Sequence, residues 1–176
     1  IDKNIIHIPE LQEEELLSVE KSDDKVYYIT IDGDLSRLYM FNMLTKEKKN
    51  LKLENIDGIT LSPDGDLLLI TQHTGHSKKL LIGNTEGEIL ETIVEGDDLT
   101  GASWSPNQQM IAFHIKSAVD GIEDSGIYLY DIPSGKSQPI AVNIDKAKIS
   151  WSPSGKKITF AEFNESHYNS SIIYLK

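Results

Sequence analysis

Short apolar runs alternate with polar turn segments along the whole chain, and both recur at a regular interval. Three segments share one pattern, in which apolar or small residues precede Ser-Pro, a polar turn comes next, and a second apolar run follows. Their serines are Ser62, Ser105 and Ser152, which are 43 and 47 residues apart. A period of about 20 to 50 residues is typical of repeat architectures. The pattern therefore predicts a chain built from similar units.

A weaker fourth copy lies upstream of these three. In this copy, Leu-Ser-Val at 17–19 is followed by Ser-Asp-Asp at 22–24 and by the apolar run 26–29. Position 22 lies forty residues before Ser62. Four units of about 44 residues account for all 176 residues. We assign the repeats to about 12–56, 57–99, 100–146 and 147–176 of a single domain that spans 1–176.

Each unit is predicted to contain four short strands. Proline presets its own φ, while Asp and Gly accept the remaining turn conformations, so the Ser-Pro segment is predicted to join two antiparallel strands. The second to fourth strands are apolar or alternating runs rich in β-branched and aromatic residues. The second strands are predicted at 25–31, 67–71, 110–115 and 157–163, the third at 38–42, 79–83, 126–131 and 171–175, and the fourth at 50–53, 88–94 and 138–142. Four strands in 40 to 50 residues are typical of a propeller blade.

Two of these segments carry a family resemblance. Residues 149–160 have the sequence Ile-Ser-Trp-Ser-Pro-Ser-Gly-Lys-Lys-Ile-Thr-Phe, and residues 125–131 have the sequence Ser-Gly-Ile-Tyr-Leu-Tyr-Asp. They resemble the WD40-like (PD40) repeats of TolB-like β-propellers, which also form the N-terminal propeller of prolyl-oligopeptidase-family proteins. The resemblance covers about 57–176 well and the first repeat weakly. It implies an all-β propeller of four-stranded antiparallel blades, and it implies little about ligands, because these residues build the blade.

The two ends of the chain leave the number of blades open. The last copy stops after its third strand, and 4–8 is predicted to be a strand that precedes the first copy. Residues 1–11 could complete the last blade and close a small ring of four blades, which would remove the open sheet edge. The alternative is part of a larger propeller, since TolB-like repeats usually form rings of six or seven blades. Residues 9–17 are predicted to be a connector that could hold one helical turn.

Positions that are alike in every copy are assigned to packing, and positions that differ between copies are candidates for function. Leu61, Trp104 and Trp151 occupy the same position in successive copies, which predicts packing between blades. The loop between the second and third strands differs between copies, at 32–36, 72–78, 116–125 and 164–170, and such variation can accommodate function without disturbing the core. We therefore predict a partner-binding face formed by Asp32, Asp34, Arg37, His73, His76, Asp120, Glu123, Asp124, Asn164, His167 and Tyr168.

Composition narrows the classes of partner. Seventeen basic residues, of which only Arg37 is arginine, face twenty-eight acidic ones, and a net charge of −11 repels a phosphate backbone, so nucleic acid is not expected. No apolar run exceeds four residues, whereas a membrane-spanning helix needs about twenty. The chain has no cysteine, so disulfides, thiolate metal sites and a cysteine nucleophile are excluded.

No catalytic motif is recognisable. The segment around Ser103 lacks the second glycine of a nucleophile elbow, and Ser134-Gly135-Lys136-Ser137 lacks the first glycine of a phosphate-binding loop, so the latter is predicted to be a hairpin turn. His73 and His76 have a spacing that can chelate a metal, but they are interpreted as solvated loop residues, and His114 as packed or half-buried in a strand. Paired aspartates are assigned to turn chemistry. We predict no catalytic residues, no metal site and no cofactor, with calcium the one ion left open.

The leading hypothesis is a non-enzymatic propeller that binds a protein or peptide, with an acidic face that favours a basic partner. The resemblance implies an extracytoplasmic protein, at a periplasmic, cell-surface or secreted location. Two alternatives stay open: a calcium-dependent propeller hydrolase, and a propeller that screens substrates for a prolyl-oligopeptidase-like catalytic domain outside these residues. The oligomeric state cannot be read from the sequence.

Overall fold

The chain folds into four antiparallel β-sheets that follow one another along the sequence. The computed structural model describes residues 8–119, 122–145, 147–164 and 167–175. Within these ranges the only helical element is a 3₁₀ turn at Pro9–Leu11. No helix in the described part of the chain is long and apolar enough to cross a membrane. The predicted all-β class is confirmed.

Three sheets have four strands and the last has three in the described residues. The first sheet comprises β1 (Leu16–Ser22), β2 (Lys25–Asp32), β3 (Leu35–Asn42) and β4 (Lys48–Glu54). The second comprises β5 (Ile56–Leu61), β6 (Leu67–Thr74), β7 (Ser77–Asn84) and β8 (Ile89–Gly96). The third comprises β9 (Asp98–Trp104), β10 (Met110–Val119), β11 (Ile122–Asp131) and β12 (Lys136–Val142). The fourth comprises β13 (Ala147–Trp151), β14 (Lys157–Asn164) and β15 (His167–Tyr174).

Every sheet is a meander in which sequential strands pair with each other, as in a propeller blade. The blades pack face to face in chain order. One apolar cluster joins the first and second blades around Tyr27, Leu38 and Ile70. A second joins the second and third blades, and a third joins the third and fourth. Among the described residues, the extensive contacts between sheets join consecutive blades only, so the described contacts do not establish a closed ring.

The two tryptophans lie between blades, as predicted. Trp104 is buried, and the partly buried Trp151 packs against the cluster between the third and fourth blades. Each indole Nε1 also donates a hydrogen bond to a backbone carbonyl of the preceding blade, from Trp104 to Thr60 and from Trp151 to Ser103, both at 3.2 Å. A buried indole N–H needs such a partner. The repeated position therefore supplies both apolar packing and a polar link between blades.

The Ser-Pro turns are held by the serine hydroxyl, a feature that the turn prediction did not include. The Ser62 Oγ accepts a hydrogen bond from the Leu67 amide at 2.9 Å and donates one to Asp64 at 2.6 Å. Ser105 makes the corresponding bonds to Met110 and Asn107, so the turn recurs in detail. The first blade instead has a two-residue turn at 23–24, with Asp23 at φ 48°. This explains why its copy of the pattern is weak.

The prediction of loops of different length between the second and third strands is wrong. In all four strand pairs the pairing continues until only two residues separate the strands: Asp32 pairs with Leu35, Thr74 with Ser77, Val119 with Ile122, and Asn164 with His167. In particular, within the stretch predicted to be a loop at 116–125, strand pairing runs from Lys116 opposite Ser125 to Val119 opposite Ile122. These strand ends extend beyond the apolar core, so they need no hydrophobic residues, and a hydrophobic pattern underestimates their length.

Residues 1–7 lie outside the described residues, and with them almost all of the strand predicted at 4–8. The predicted connector contains the expected helical turn, at Pro9–Leu11. Leu11 is buried against Val26, Tyr28 and Phe41, on the face of the first blade that points away from the second blade. The described part of the segment thus packs on that face of the first blade.

Candidate partner-binding surface

Alternating strand directions bring the same kind of connection to the same end of every blade. The hairpins β2–β3, β6–β7, β10–β11 and β14–β15 lie at one end, together with the connections β4–β5, β8–β9 and β12–β13. We call this the hairpin end. The opposite end carries the three Ser-Pro turns and the tight turn of the first blade, and we call it the Ser-Pro end. The propeller thereby presents two surfaces of different origin.

Apart from Asp120, the hairpin end contains the residues that the sequence analysis proposed, but in strands and tight turns instead of loops. Asp34 and His76 are exposed in two-residue turns beside Gly33 and Gly75, whose positive φ values suit such turns. Arg37, His73 and Asp124 lie on the paired strands, as do the backbones of Asp32, Glu123, Asn164, His167 and Tyr168. The side chains of these last five residues, and the whole of Asp120, lie outside the described structure.

A basic residue and a glutamate face each other on the outer strands of the first two blades. The Arg37 Nε lies 3.0 Å from the Glu54 Oε1, and the Lys79 Nζ lies 3.6 Å from the Glu95 Oε2. Arg37 is directly opposite Glu54, and Lys79 is directly opposite Glu95, so the two ion pairs occupy equivalent positions. Cross-strand ion pairs of this kind contribute about 0.2–1 kcal/mol and orient the side chains.

Lys78 links two blades at the hairpin end. Its Nζ lies 3.3 Å from the Asp57 carboxylate of its own blade and 3.1 Å from the Asp98 carboxylate of the next. Burial opposes the charge of Lys78, but the hydrogen bonds and charges of Asp98 and Asp57 outweigh it and raise the pKa of the lysine. Sequence analysis missed this link, because no local pattern connects Lys78 with Asp98, twenty residues later.

A cleft of about 350 Å³ lies beside Lys78, between the second and third blades. Its walls come from the innermost strands β5 and β9 and from β6, and they include hydroxyl groups and the backbone of two glycines. The polar lining residues are Asp57, Gly58, Thr60, Thr71, Lys78, Thr100 and Gly101. The cleft therefore offers both hydrogen-bond donors and hydrogen-bond acceptors. It lies where the innermost strands reach the hairpin end.

The histidines do not form a metal site in the described structure. The His73 Nε2 lies 2.6 Å from the Gly75 carbonyl oxygen, so His73 is hydrogen-bonded within its own hairpin. No group of three or more histidine, aspartate or glutamate side chains in the described ranges could hold a metal ion. His114, predicted to be packed or half-buried, is completely buried and makes structural hydrogen bonds to Thr100 and Ile144.

The two serine segments considered for catalysis have structural roles. Ser103 lies in β9, and its carbonyl oxygen accepts the hydrogen bond of Trp151. Both the amide and the hydroxyl of Ser134 donate to the Asp131 carboxylate, which closes the turn between β11 and β12. The predicted hairpin turn at 134–137 is therefore confirmed in its first half, and β12 begins at Lys136.

Charge is distributed unevenly between the two ends of the blades. Among the described side chains, acidic residues outnumber basic ones at the hairpin end. The acidic residues there are Asp34, Glu54, Asp57, Glu95, Asp97, Asp98, Asp124 and Asp145, and the basic residues are Arg37, Lys78, Lys79, Lys116 and Lys148. At the Ser-Pro end, acidic residues are similar in number to the basic residues, which are Lys21, Lys25, Lys46, Lys48, Lys49, Lys136, Lys156 and Lys157. The hairpin end therefore carries an excess of negative charge.

Comparison with solved structures identifies the fold. TolB from Acinetobacter baumannii matches 92% of the chain at a TM-score of 0.70 and 19% identity. The β-propeller domain of the trilobed protease from Pyrococcus furiosus matches 93% at a TM-score of 0.70 and 14% identity. A prolyl endopeptidase matches 92% at a TM-score of 0.70 and 14% identity. No family model and no curated protein matches the sequence.

These likenesses confirm the resemblance stated from the sequence: the chain has the fold of a TolB-like β-propeller. The chain spans only part of each of these proteins, 41% of TolB, 55% of the trilobed protease propeller and 28% of the prolyl endopeptidase.

Proposed function

We propose that the chain is a non-enzymatic interaction module whose hairpin end binds a basic segment of a protein or peptide. The observation that carries this proposal is the excess of acidic side chains at that end, set against the near balance of charges at the Ser-Pro end. A positively charged partner is attracted to such a surface over several ångströms, so complementarity raises the association rate and selects against acidic partners. TolB-like folds host many functions, so the site and not the fold supports the proposal.

Rigid presentation is the physical mechanism. Tight two-residue turns, the cross-strand pairs of Arg37 and Lys79, and the Lys78 bridge between blades hold the acidic side chains in place. Binding to a pre-organised surface loses less conformational entropy than binding that must first order flexible loops. The ion pairs also keep lysines and arginine beside the carboxylates, so the partner's cations add to an existing network.

A fluorescein-labelled peptide of alternating lysine and glycine tests the proposal by fluorescence anisotropy. We expect binding that weakens about tenfold between about 50 and about 300 mM salt, because surface charges are screened over a shorter distance. Combined Asp34→Lys and Asp124→Lys substitutions are expected to weaken binding about tenfold. Glu47→Lys, an exposed change at the Ser-Pro end, is the matched control and should have little effect. Equal loss in both variants would reject a specific role of the hairpin end.

The likeness to propeller domains of peptidases favours a second candidate, a propeller that screens substrates for a catalytic domain outside these residues. The size of the complete gene product, together with the identity of any chain that copurifies with it, separates the two, because this candidate requires a hydrolase domain on the same or an associated chain. The calcium-dependent hydrolase is tested by thermal unfolding with and without calcium, since an ion that binds only the folded state must raise the midpoint.

We also propose an extracytoplasmic location, which the TolB-like fold supports. Fractionation of the native organism with an antibody against the chain provides the test. Recovery of the protein with periplasmic, surface or secreted material is expected, and recovery with the cytoplasmic fraction alone would overturn this part of the proposal.

A further inference from the structure

A second cleft, separate from the one beside Lys78, opens between the outer strands of the second and third blades. It has a volume of about 190 Å³, and its walls are largely apolar. Val94 of β8 forms one wall, and Phe113, Ile115 and Tyr128 of the third blade form the other. Ser117, Asp124 and Ser137 lie at its edge. We call this cleft the interblade slot.

One residue that lines the slot differs from its counterpart at the preceding blade junction. Gln72 and Ile115 each stand ten positions after the serine of their Ser-Pro turn, so they are equivalent. The Gln72 Nε2 donates a hydrogen bond to the Glu54 carbonyl oxygen of the preceding blade at 3.0 Å and so bridges the first junction. Ile115 has no polar end with which to cross the second junction, and it contacts Gly96 of the preceding blade instead.

The walls of the slot are fixed in place. A Cβ on Gly96 would lie 2.7 Å from the Ile115 Cγ1, so the two blades approach as closely as glycine allows. The Tyr130 hydroxyl donates a hydrogen bond to the Glu91 carboxylate across the same junction. Phe113 and Tyr128 stack with ring centroids 5.9 Å apart at an angle of 18°. Phe113 and Ile115 are themselves buried, so the partly exposed Val94 and Tyr128 supply the apolar surface at the entrance of the slot.

Negative charge lies at the mouth of the slot. Asp124 is exposed there, and the Tyr128 hydroxyl donates to its Oδ2 at 3.4 Å. Burial, and then the neighbouring charge of Asp124, raise the pKa of Tyr128, so the phenol stays neutral at neutral pH. An apolar slot with a carboxylate at its mouth suits a ligand that has an apolar part next to a cation.

The volume limits the size of the apolar part. A dry apolar cavity of about 150 Å³ is known to hold benzene, so about 190 Å³ accommodates one leucine, isoleucine or phenylalanine side chain. Aromatic walls favour such groups, and a buried anchor of this kind often dominates the binding energy of an interface.

We propose that the interblade slot takes one branched aliphatic or aromatic side chain of the partner, and that a lysine or arginine beside it in the partner's sequence binds Asp124. This inference rests on the proposed function, because it describes how the basic partner of the hairpin end is anchored. It commits the partner to a short motif in which an apolar residue and a basic residue are adjacent.

Blocked hexapeptides of the form Gly-Ser-X-Z-Gly-Ser test the motif, with X-Z as Leu-Lys, Phe-Lys, Ala-Lys or Leu-Glu. The full chain is labelled at the methyl groups of isoleucine and valine and titrated by NMR. We expect the Ile115 and Val94 methyl signals to shift with Leu-Lys and Phe-Lys. Ala-Lys should bind at least about tenfold more weakly, because less apolar surface is buried, and Leu-Glu about fivefold more weakly.

Variants separate the slot from the surrounding charge. Val94→Phe and, at the exposed rim, Ser137→Phe should fill the slot and abolish the preference for leucine over alanine. Thr92→Phe, on the same strand as Val94 but outside the slot, is the control. Asp124→Asn should retain the preference for leucine and reduce the difference between Leu-Lys and Leu-Glu to less than about twofold. Because Ser137 is exposed, its variant tests the slot even if Val94→Phe does not fold.

The outcomes distinguish this inference from the proposed function. If all lysine peptides bind equally and the two methyl signals do not move, the slot proposal is overturned, while a basic partner is retained. If leucine peptides bind in the slot irrespective of the neighbouring charge, the two-residue motif is overturned. If no peptide binds, both proposals fail.

Discussion

His114 ties the third blade to the connection that leads into the fourth. Its Nε2 donates a hydrogen bond of 2.7 Å to the Ile144 carbonyl oxygen, and its Nδ1 lies 3.2 Å from the Thr100 hydroxyl. Because a carbonyl oxygen can only accept, the Nε2 carries a proton, and the Thr100 hydroxyl is the hydrogen-bond partner of Nδ1. The side chain is completely buried, so both bonds replace water.

Replacement of His114 by leucine should lower the free energy of unfolding by about 3 kcal/mol, because a buried carbonyl and a partly buried hydroxyl lose their partner. Urea denaturation followed by tryptophan fluorescence measures the change. His76→Ala, at an exposed turn, should remain within about 0.5 kcal/mol of the parent. Similar losses in both variants would show that His114 has no special structural role.

Trp151→Phe should lower the free energy of unfolding by about 1 kcal/mol. Phenylalanine retains most of the apolar contact with the blade junction but removes the hydrogen bond to the Ser103 carbonyl oxygen. Chemical denaturation followed by far-UV circular dichroism measures the difference. Tyr174→Phe is the control, since Tyr174 is 66% exposed and its change should be smaller than about 0.5 kcal/mol. No loss for Trp151→Phe would assign the whole contribution of the indole to packing.

Two glycines with positive φ provide a matched pair. Gly87 has φ 93°, and a Cβ there would lie 2.5 Å from the Leu51 carbonyl oxygen of the preceding blade. Gly75 has φ 66° and open space around it. Gly75→Ala should therefore cost only the backbone strain, about 1 kcal/mol, and Gly87→Ala about 3 kcal/mol because the blades must also separate. Thermal unfolding of the two variants compares them, and equal costs would contradict the close approach.

Because of Tyr130, we expect the free energy of unfolding to decrease at high pH. Burial, and then the hydrogen bond to Glu91, raises the pKa of Tyr130 to about 12 from the ordinary tyrosine value of 10.0. The unfolded chain therefore releases this proton at lower pH than the folded chain, so the contribution is present below pH 10 and is lost between about pH 10 and pH 12. A difference of one in pKa corresponds to about 1.4 kcal/mol. Because Glu91 is open to solvent, which weakens the interaction, the contribution to stability is at most about 2 kcal/mol.

The urea midpoint at pH 9 and at pH 11 measures this effect. Tyr130→Phe should show a smaller decrease between the two pH values than the parent, because the other tyrosines titrate in both proteins. A decrease of the same size in both would show that Tyr130 does not contribute to the pH dependence.

The repeat made most of the fold predictable. The positions of Ser62, Ser105 and Ser152 located three turns, and the strands around them begin within a few residues of the predicted bounds. The site was predictable only in outline. Asp34, Arg37 and Asp124 lie at the hairpin end as expected, but Lys78, Asp57 and Asp98 form a bridge that no spacing indicated. The slot was also missed, because Ile115 and Val94 look like ordinary strand residues.

The amino-acid sequence alone determined the blade: period, turn chemistry and apolar alternation are local properties, and they specify strands and hairpins without reference to distant residues. The packing between blades decided the rest. Whether a junction is joined by a hydrogen bond, as by Gln72, or by apolar contact, as between Ile115 and Gly96, depends on which backbone faces that position across two sheets. The extension of the hairpins likewise comes from cross-strand hydrogen bonds, which polar residues satisfy as well as apolar ones and which therefore leave no hydrophobic pattern.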